Sequence, residues 1–197
     1  MQKSLLKPTG SALLRKYLQR NLNSAEDIHQ EIITLFKPLT VKKGTVLLAH
    51  GETCDKLYFV NQGCARCFYL TEQGAEKSRL IAFEGMVITS LGGFISGLPS
   101  FEMVDVLENS ELLTISRSNF YHLLQTYPEW QQFYAKLLEF AYLYQNKKIE
   151  ELVTLSAGER YALLLKESPH YIKRLSNKIL ASYLDVTQET LSRLKSR

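Results

Sequence analysis

The sequence predicts an α+β protein built from a β-roll (jelly-roll) domain, one long helix and a small helical helix-turn-helix domain. Three observations predict it. Gly44, Gly51, Gly63, Gly74 and Gly85 recur at intervals of seven, twelve, eleven and eleven residues, the spacing of short strands joined by turns. From Trp130 to Tyr144 aromatic and aliphatic residues repeat every three to four positions. The stretch Leu175–Lys195 reads as two short helices with a tight turn between them. The expected domains are 1–127 for the roll with its N-terminal helices, 128–155 for the long helix and 156–197 for the reader.

Taken in order, residues 1–38 read as helical. Leu13, Leu14, Tyr17 and Leu18 form one stripe, and Ser24 is placed to cap a second helix carrying Ile28, Ile32, Ile33, Leu35 and Phe36. From Val41 to Ser116 short apolar runs alternate with glycine. Leu57–Val60, Ala65–Leu70, Leu80–Phe83 and Leu112–Ile115 are the clearest strands, and the glycines supply the positive φ of the turns. A short helix from about Ser118 ends at Thr126. Pro128 then suits the first turn of a helix running to about Thr154.

Two stripes run along that helix. Trp130, Phe133, Leu137, Phe140 and Tyr144 make one, and Tyr134, Leu138, Ala141, Gln145, Ile149 and Leu152 make the other. Apolar surface on so much of the girth has to be covered on two sides. One side is expected on the β-domain and the other on a second copy of the helix, with Gln145, Lys148 and Glu151 weakening the seam toward its end. Phe133, Leu137, Phe140 and Tyr144 are the candidate dimer residues; a buried helix in a monomer is the alternative. Ser156-Ala-Gly-Glu159 is a capping box for a further helix, which Ser168-Pro169 ends.

In the terminal stretch Ser176 is an N-cap, Ile179, Leu180, Tyr183 and Leu184 form an apolar stripe, and Ala181 suits a close helix approach. Asp185-Val186 makes the turn and Thr187 caps the second helix. With Leu191 and Leu194 packed inward, Gln188, Glu189, Ser192 and Arg193 face outward. Arginine pairs with guanine, glutamine with adenine and glutamate with the cytosine amino group, so these four are the candidate base contacts to double-stranded DNA. Lys178, Thr187, Lys195 and Arg197 are the candidate phosphate contacts. Residues 173–197 hold six basic side chains against Asp185 and Glu189, a balance of +4 that equals the net charge of the whole chain. The positive charge is thus concentrated where phosphate would approach. The alternatives are a plain helical hairpin closing a domain, or a ligand-binding or protein-docking module whose helices no longer read DNA.

Other functions find little support. No run of about 18 apolar residues offers a membrane span. Met1–Pro8 lacks the apolar core of an export signal, so the cytoplasm is the expected compartment. Cys54, Cys64 and Cys67 are read as reduced thiols: one C-x-x-C pair is a weak signal, and no fourth cysteine exists for a cluster. None of the four histidines has a ligand-spaced partner, so no metal and no cofactor are expected. An enzyme is not expected either, since nucleophile elbow, phosphate-binding glycine loop and His/carboxylate pairing are all missing.

This order of parts resembles the Crp/Fnr superfamily of bacterial transcription regulators, over about residues 20–195. The resemblance is carried most specifically by Val41-Lys-Lys-Gly44 to Gly51-Glu52, Leu57-Tyr-Phe-Val60 to Gly63, and Leu175–Lys195. It implies a homodimer through the long helix, an effector domain that repositions two recognition helices, and RNA polymerase as a possible further partner. It also implies base contacts at Glu189 and Arg193, with Gln188 where cyclic-AMP-responsive members carry arginine. Two departures stand out. Cyclic-nucleotide-binding members use a glutamate for the ribose and an Arg-Ser pair for the cyclic phosphate. In Gly85–Val104 Ser90 stands near the glutamate position, and Phe101, Glu102 and Met103 occupy the Arg-Ser region. An unpaired phosphate there would face Glu102, so cyclic AMP is not the expected ligand and the effector is left open. Family readers also continue into a β-hairpin wing, whereas this sequence stops at Arg197. Either a shortened chain or a reduced reader is implied, with lower affinity and a shallower salt slope. The cysteine cluster of the iron–sulfur members is absent from the N-terminal region, where the first cysteine is Cys54.

Overall fold

The computed structural model describes residues 8–196; Met1–Lys7, read above for a leader, and the phosphate candidate Arg197 lie outside the described residues. A short 3-10 turn (Pro8–Ser11) leads into helices α1 (Ala12–Asn21) and α2 (Glu26–Leu35). Leu14 and Leu18 bury the expected stripe of α1, and Ile32 and Ile33 that of α2. Ser24 is not the cap of α2. The N-cap is Ala25 in extended conformation, Glu26 and Asp27 fill the first turn where the helix dipole favours them, and the Ser24 hydroxyl has no partner. The chain turns extended at Lys37, so the last two residues of the region read as helical are strand.

Eight strands follow: β1 (Lys37–Val41), β2 (Val46–Leu48), β3 (Lys56–Gln62), β4 (Ala65–Leu70), β5 (Glu76–Ala82), β6 (Val87–Ile88), β7 (Glu102–Val106) and β8 (Ser110–Ser116). They form two four-stranded antiparallel sheets in the orders β1-β8-β3-β6 and β2-β7-β4-β5, a β-roll. The register is fixed by long pairs such as Leu57↔Ile115 and Val60↔Leu112, which bring apolar strand residues together as one core. All five ladder glycines have positive φ, as turns require. Gly63 has a second constraint, because a Cβ there would strike the Ser110 hydroxyl.

Between β6 and β7 lies a one-and-a-half-turn helix, α3 (Leu91–Ser96), ended by left-handed Gly97. Arg117, the first residue of α4 (Arg117–Thr126), donates to Phe94 O and Ile95 O at the end of α3. Helix α5 (Pro128–Thr154) has 27 residues, and its first turns bury Trp130 and Phe133 in an aromatic cluster with Tyr17 and Phe120. Helices α6 (Ala157–Glu167), α7 (Pro169–Arg174), α8 (Asn177–Leu184) and α9 (Gln188–Lys195) complete the chain. The Ser156–Glu159 capping box opens α6 as expected. Ser168-Pro169 ends it but also starts α7, where Pro169 provides the first-turn φ, a helix missing from the sequence reading.

The chain divides into two compact units. One contains residues to Cys67 together with Ile81–Ala135; the other contains Phe68–Leu80 together with Lys136 onward. The division thus runs through α5, and the tip of the β4–β5 hairpin belongs with the helical unit.

Candidate nucleic-acid interface

Helix α8 begins at Ser176, whose Oγ accepts from Ile179 N, and it buries Ile179, Leu180, Ala181 and Leu184. It stops at Asp185, the only described non-glycine residue with positive φ (55°). Aspartate tolerates this left-handed conformation better than most residues. Val186 N closes the turn on Ala181 O at 3.0 Å. Two cations hold the last carbonyls of α8: Lys148 Nζ donates to Tyr183 O at 2.6 Å and Arg160 Nε to Leu184 O at 3.2 Å. Positive charge at a helix C-terminus is favourable.

The β4–β5 hairpin also grips α8. Ser78 N and Oγ bond the Ser182 hydroxyl, which donates to Glu76 O, and Lys77 pairs with Asp185. The start of the turn between the helices is therefore held from two sides.

Thr187 caps α9, its Oγ1 accepting from Thr190 N at 3.1 Å. Leu191 is fully buried, and Leu194 lies beside Gly158 of α6. That anchoring turns Gln188, Glu189, Ser192 and Arg193 to solvent together. Among the described residues none of the four forms an ion pair; Arg193 Nη2 meets only the Thr190 hydroxyl at 3.4 Å. The phosphate candidates fare differently. Lys178 is paired with Glu76 at 2.7 Å, Lys195 donates to Asn177 Oδ1 at 2.6 Å, and the hydroxyl of Thr187 is occupied by its own cap.

Of the effector-pocket residues, the structure gathers Ser90 and Glu102 and leaves Phe101 apart. Ser90 Oγ donates to Glu102 Oε2 at 2.7 Å, Ser100 Oγ to Ser90 Oγ at 2.8 Å, and Glu102 N to Ser100 Oγ at 3.0 Å. All three are buried. Cys54 and Thr89 adjoin them, sharing a 3.1 Å contact, and burial pushes the Cys54 thiol up. Phe101 is 77 % exposed and packs against His50, while Met103 is half-buried. Sequence reasoning missed Ser100. It also missed Arg66, 4 % exposed, which makes a two-pronged pair with Asp105 at 2.8 and 2.9 Å. An arginine inside the apolar run Ala65-Arg-Cys-Phe68 was the available signal, since a buried guanidinium demands a carboxylate.

The dimer candidates separate as well. Phe133 is buried beside Trp130, and the Tyr144 hydroxyl bonds that of Tyr183 at 2.9 Å, so both are used within the chain. Leu137 is half-buried and Phe140 is exposed. From Lys136 onward Phe140, Tyr142, Leu143, Ile149, Leu152 and Val153 are exposed; Tyr142, Ile149, Leu152 and Val153 share one face, with Leu138 half-buried at its start. Lys148 does not weaken that face: it turns inward onto the Tyr183 ring, 3.6 Å from its centroid. Among the described residues no group of three or more His, Cys, Asp or Glu is placed to hold a metal ion, and no helix is long and apolar enough to cross a membrane.

Residues 38–127 match the family model of the cyclic nucleotide-binding domain. No curated protein matches the sequence at a significant level. Among solved structures, the chain is similar to FixK2 from Bradyrhizobium japonicum (19 % identity, TM-score 0.72, covering 82 % of this chain and 83 % of that one). It is also similar to CLP of Xanthomonas campestris, described as a c-di-GMP-responsive global regulator (18 %, 0.71, 86 % and 89 %). A third is a crp/fnr-family regulator from Eubacterium rectale (18 %, 0.71, 91 % and 85 %). The fold is of the Crp/Fnr type: a cyclic nucleotide-binding-like roll, a long helix and a terminal helix-turn-helix.

Proposed function

We propose that this chain is a DNA-binding transcription regulator that acts as a homodimer on a two-fold-symmetric site in the cytoplasm, without a catalytic step. The observation that carries the reading is the outer face of α9. Four side chains suited to base edges stand free on a helix whose cap and preceding turn are both pinned. Dimerisation uses the Tyr142–Ile149–Leu152–Val153 face of α5, which would place two copies of α9 in successive major grooves, roughly 34–36 Å apart. RNA polymerase is a natural further partner of a regulator with this architecture.

The roll is read as unresponsive to cyclic AMP. Its cassette offers a buried carboxylate and two serines, and the buried guanidinium of the neighbouring strand β4, Arg66, is already matched by Asp105. A cyclic phosphate would meet negative charge without a counter-ion. Titration calorimetry with cyclic AMP and cyclic GMP is expected to show no saturable heat.

The direct test of DNA reading is selection of a preferred duplex, followed by affinity measurements across salt on that duplex and on random sequence. A fall in affinity with salt on both, and a preference for the selected palindrome, are expected. Failure to bind any duplex at low salt would leave the helical unit as a protein-docking module.

A further inference from the structure

In the helical unit a cavity of about 150 Å³ lies among the second half of α5, α6, α7 and the end of α8. Its walls combine aromatic and aliphatic surface (Tyr144, Tyr171, Tyr183, Leu163) with three cations, Lys147, Lys148 and Arg160, and two carboxylates, Glu151 and Glu167. The charges around it are unevenly matched. Lys147 is answered by Glu167 at 2.6 Å and by Glu151 at 3.9 Å. Lys148 and Arg160 form no ion pair among the described residues; their bonds go to the carbonyls of Tyr183, Leu184 and Leu155. The Lys148 ammonium has three donors; one meets the Tyr183 carbonyl, the ammonium also faces the Tyr183 ring at 3.6 Å, and burial holds its pKa down to about 8. A desolvated ammonium and a guanidinium beside an open volume of that size lack one thing, a compact anion. A cavity of about 150 Å³ is also the size that admits a single benzene ring.

We infer that this cavity is a binding site for a small aromatic carboxylate, its ring among Tyr144, Tyr171 and Tyr183 and its carboxylate on Lys148 and Arg160. The two cations are the same groups that hold the last carbonyls of α8. Occupancy therefore draws on the bonds that set the α8–α9 turn, and the effect on DNA, which rests on the function proposed above, would be exerted there. The site differs in place and chemistry from the roll cassette.

Benzoate is the probe, with benzamide as its neutral isostere and inorganic phosphate as the anion without a ring. By titration calorimetry and ligand-observed NMR on the full chain, benzoate is expected to bind saturably, with benzamide and phosphate at least about tenfold weaker. Intermolecular NOEs should run from the benzoate ring to the Tyr171 and Tyr183 rings. Leu163→Trp, which fills the volume, and Lys148→Met, which removes the charge, should each abolish binding in folded protein, as judged by thermal unfolding. Binding should also weaken as pH rises through 8, because Lys148 loses its proton there among Glu151, Arg160, Asp185 and the Tyr144 and Tyr183 hydroxyls. Three results overturn the inference: no saturable benzoate binding, benzamide or phosphate binding as tightly as benzoate, or NOEs confined to other residues. These readouts need no DNA, so failure here and failure of DNA reading are separable. Should either variant not fold, the isostere comparison and the NOEs on the unaltered chain still decide.

Discussion

The roll cassette and the outer face of α9 use the same three residue types, serine, glutamate and arginine, to opposite ends. In the cassette Ser90, Ser100 and Glu102 bond one another in the interior, and on the neighbouring strand Arg66 is locked to Asp105. On α9 Glu189, Ser192 and Arg193 project into solvent and bond almost nothing in their own chain. A polar group in the interior must be satisfied by the fold, so it is unavailable to a ligand unless that ligand replaces its partners. A polar group on a capped surface helix has water as its only competitor. The contrast separates a region whose polar groups are consumed by the fold from one whose polar groups are presented, although residue type alone looks similar in both.

Substitutions can break this comparison, beginning where the largest effect is expected. Asp105→Ala leaves the Arg66 guanidinium in the interior without its carboxylate, and urea unfolding should register a loss of about 3–5 kcal/mol. If stability were unchanged, the roll would not depend on internal satisfaction. Arg193→Ala should do the reverse. The melting temperature is expected to hold, while affinity for a selected duplex falls by about 1–3 kcal/mol and sequence preference relaxes. Wild-type affinity in that variant would remove α9 from the reading. Ser90→Ala takes one donor from buried Glu102, and a stability loss of about 1–2 kcal/mol is expected by thermal or urea denaturation.

The pH dependence of stability sharpens the boundary between the two classes of site. Lys148 has a folded pKa of about 8, below the 10.5 of a free lysine. Between those values the unfolded chain binds more protons, so stability should rise with pH from about 8. Tyr144 and Tyr183 have raised folded values, which makes their contribution fall once tyrosines of the unfolded chain ionise near 10. A stability maximum near pH 10 is therefore expected from these groups, and Lys148→Met should remove the rise that leads to it.

Much of this architecture was legible because it depends on local chemistry. Positive φ at Gly44 to Gly85, the Ser156–Glu159 box, the caps Ser176 and Thr187 and the run of α5 are each decided within a few residues. The outward set of α9 was legible for the same reason, since Leu191 fixes which way the helix turns. Errors arose where a residue's partner lies far away in sequence. Lys148 looked like a flaw in a dimer seam because Tyr183 cannot be seen from α5. Phe133 and Tyr144 matched a dimer stripe by spacing, yet each has a partner within the chain.

The cassette shows the same limit. Ser90, Phe101, Glu102 and Met103 were grouped by position in a motif, but strand β7 alternates its faces, so Glu102 enters the interior while Phe101 leaves it. Ser100, the residue that joins Ser90 to Glu102, drew no attention because a serine beside a proline reads as a turn. What the sequence determined by itself was the order of roll, long helix and terminal helices, the caps Ser156, Ser176 and Thr187, the glycine turns, and the concentration of positive charge in residues 173–197. Only the tertiary structure decided which polar side chains are consumed and which are presented, because satisfaction of a buried charge is a property of pairs such as Arg66–Asp105 and Lys148–Tyr183 that span dozens of residues.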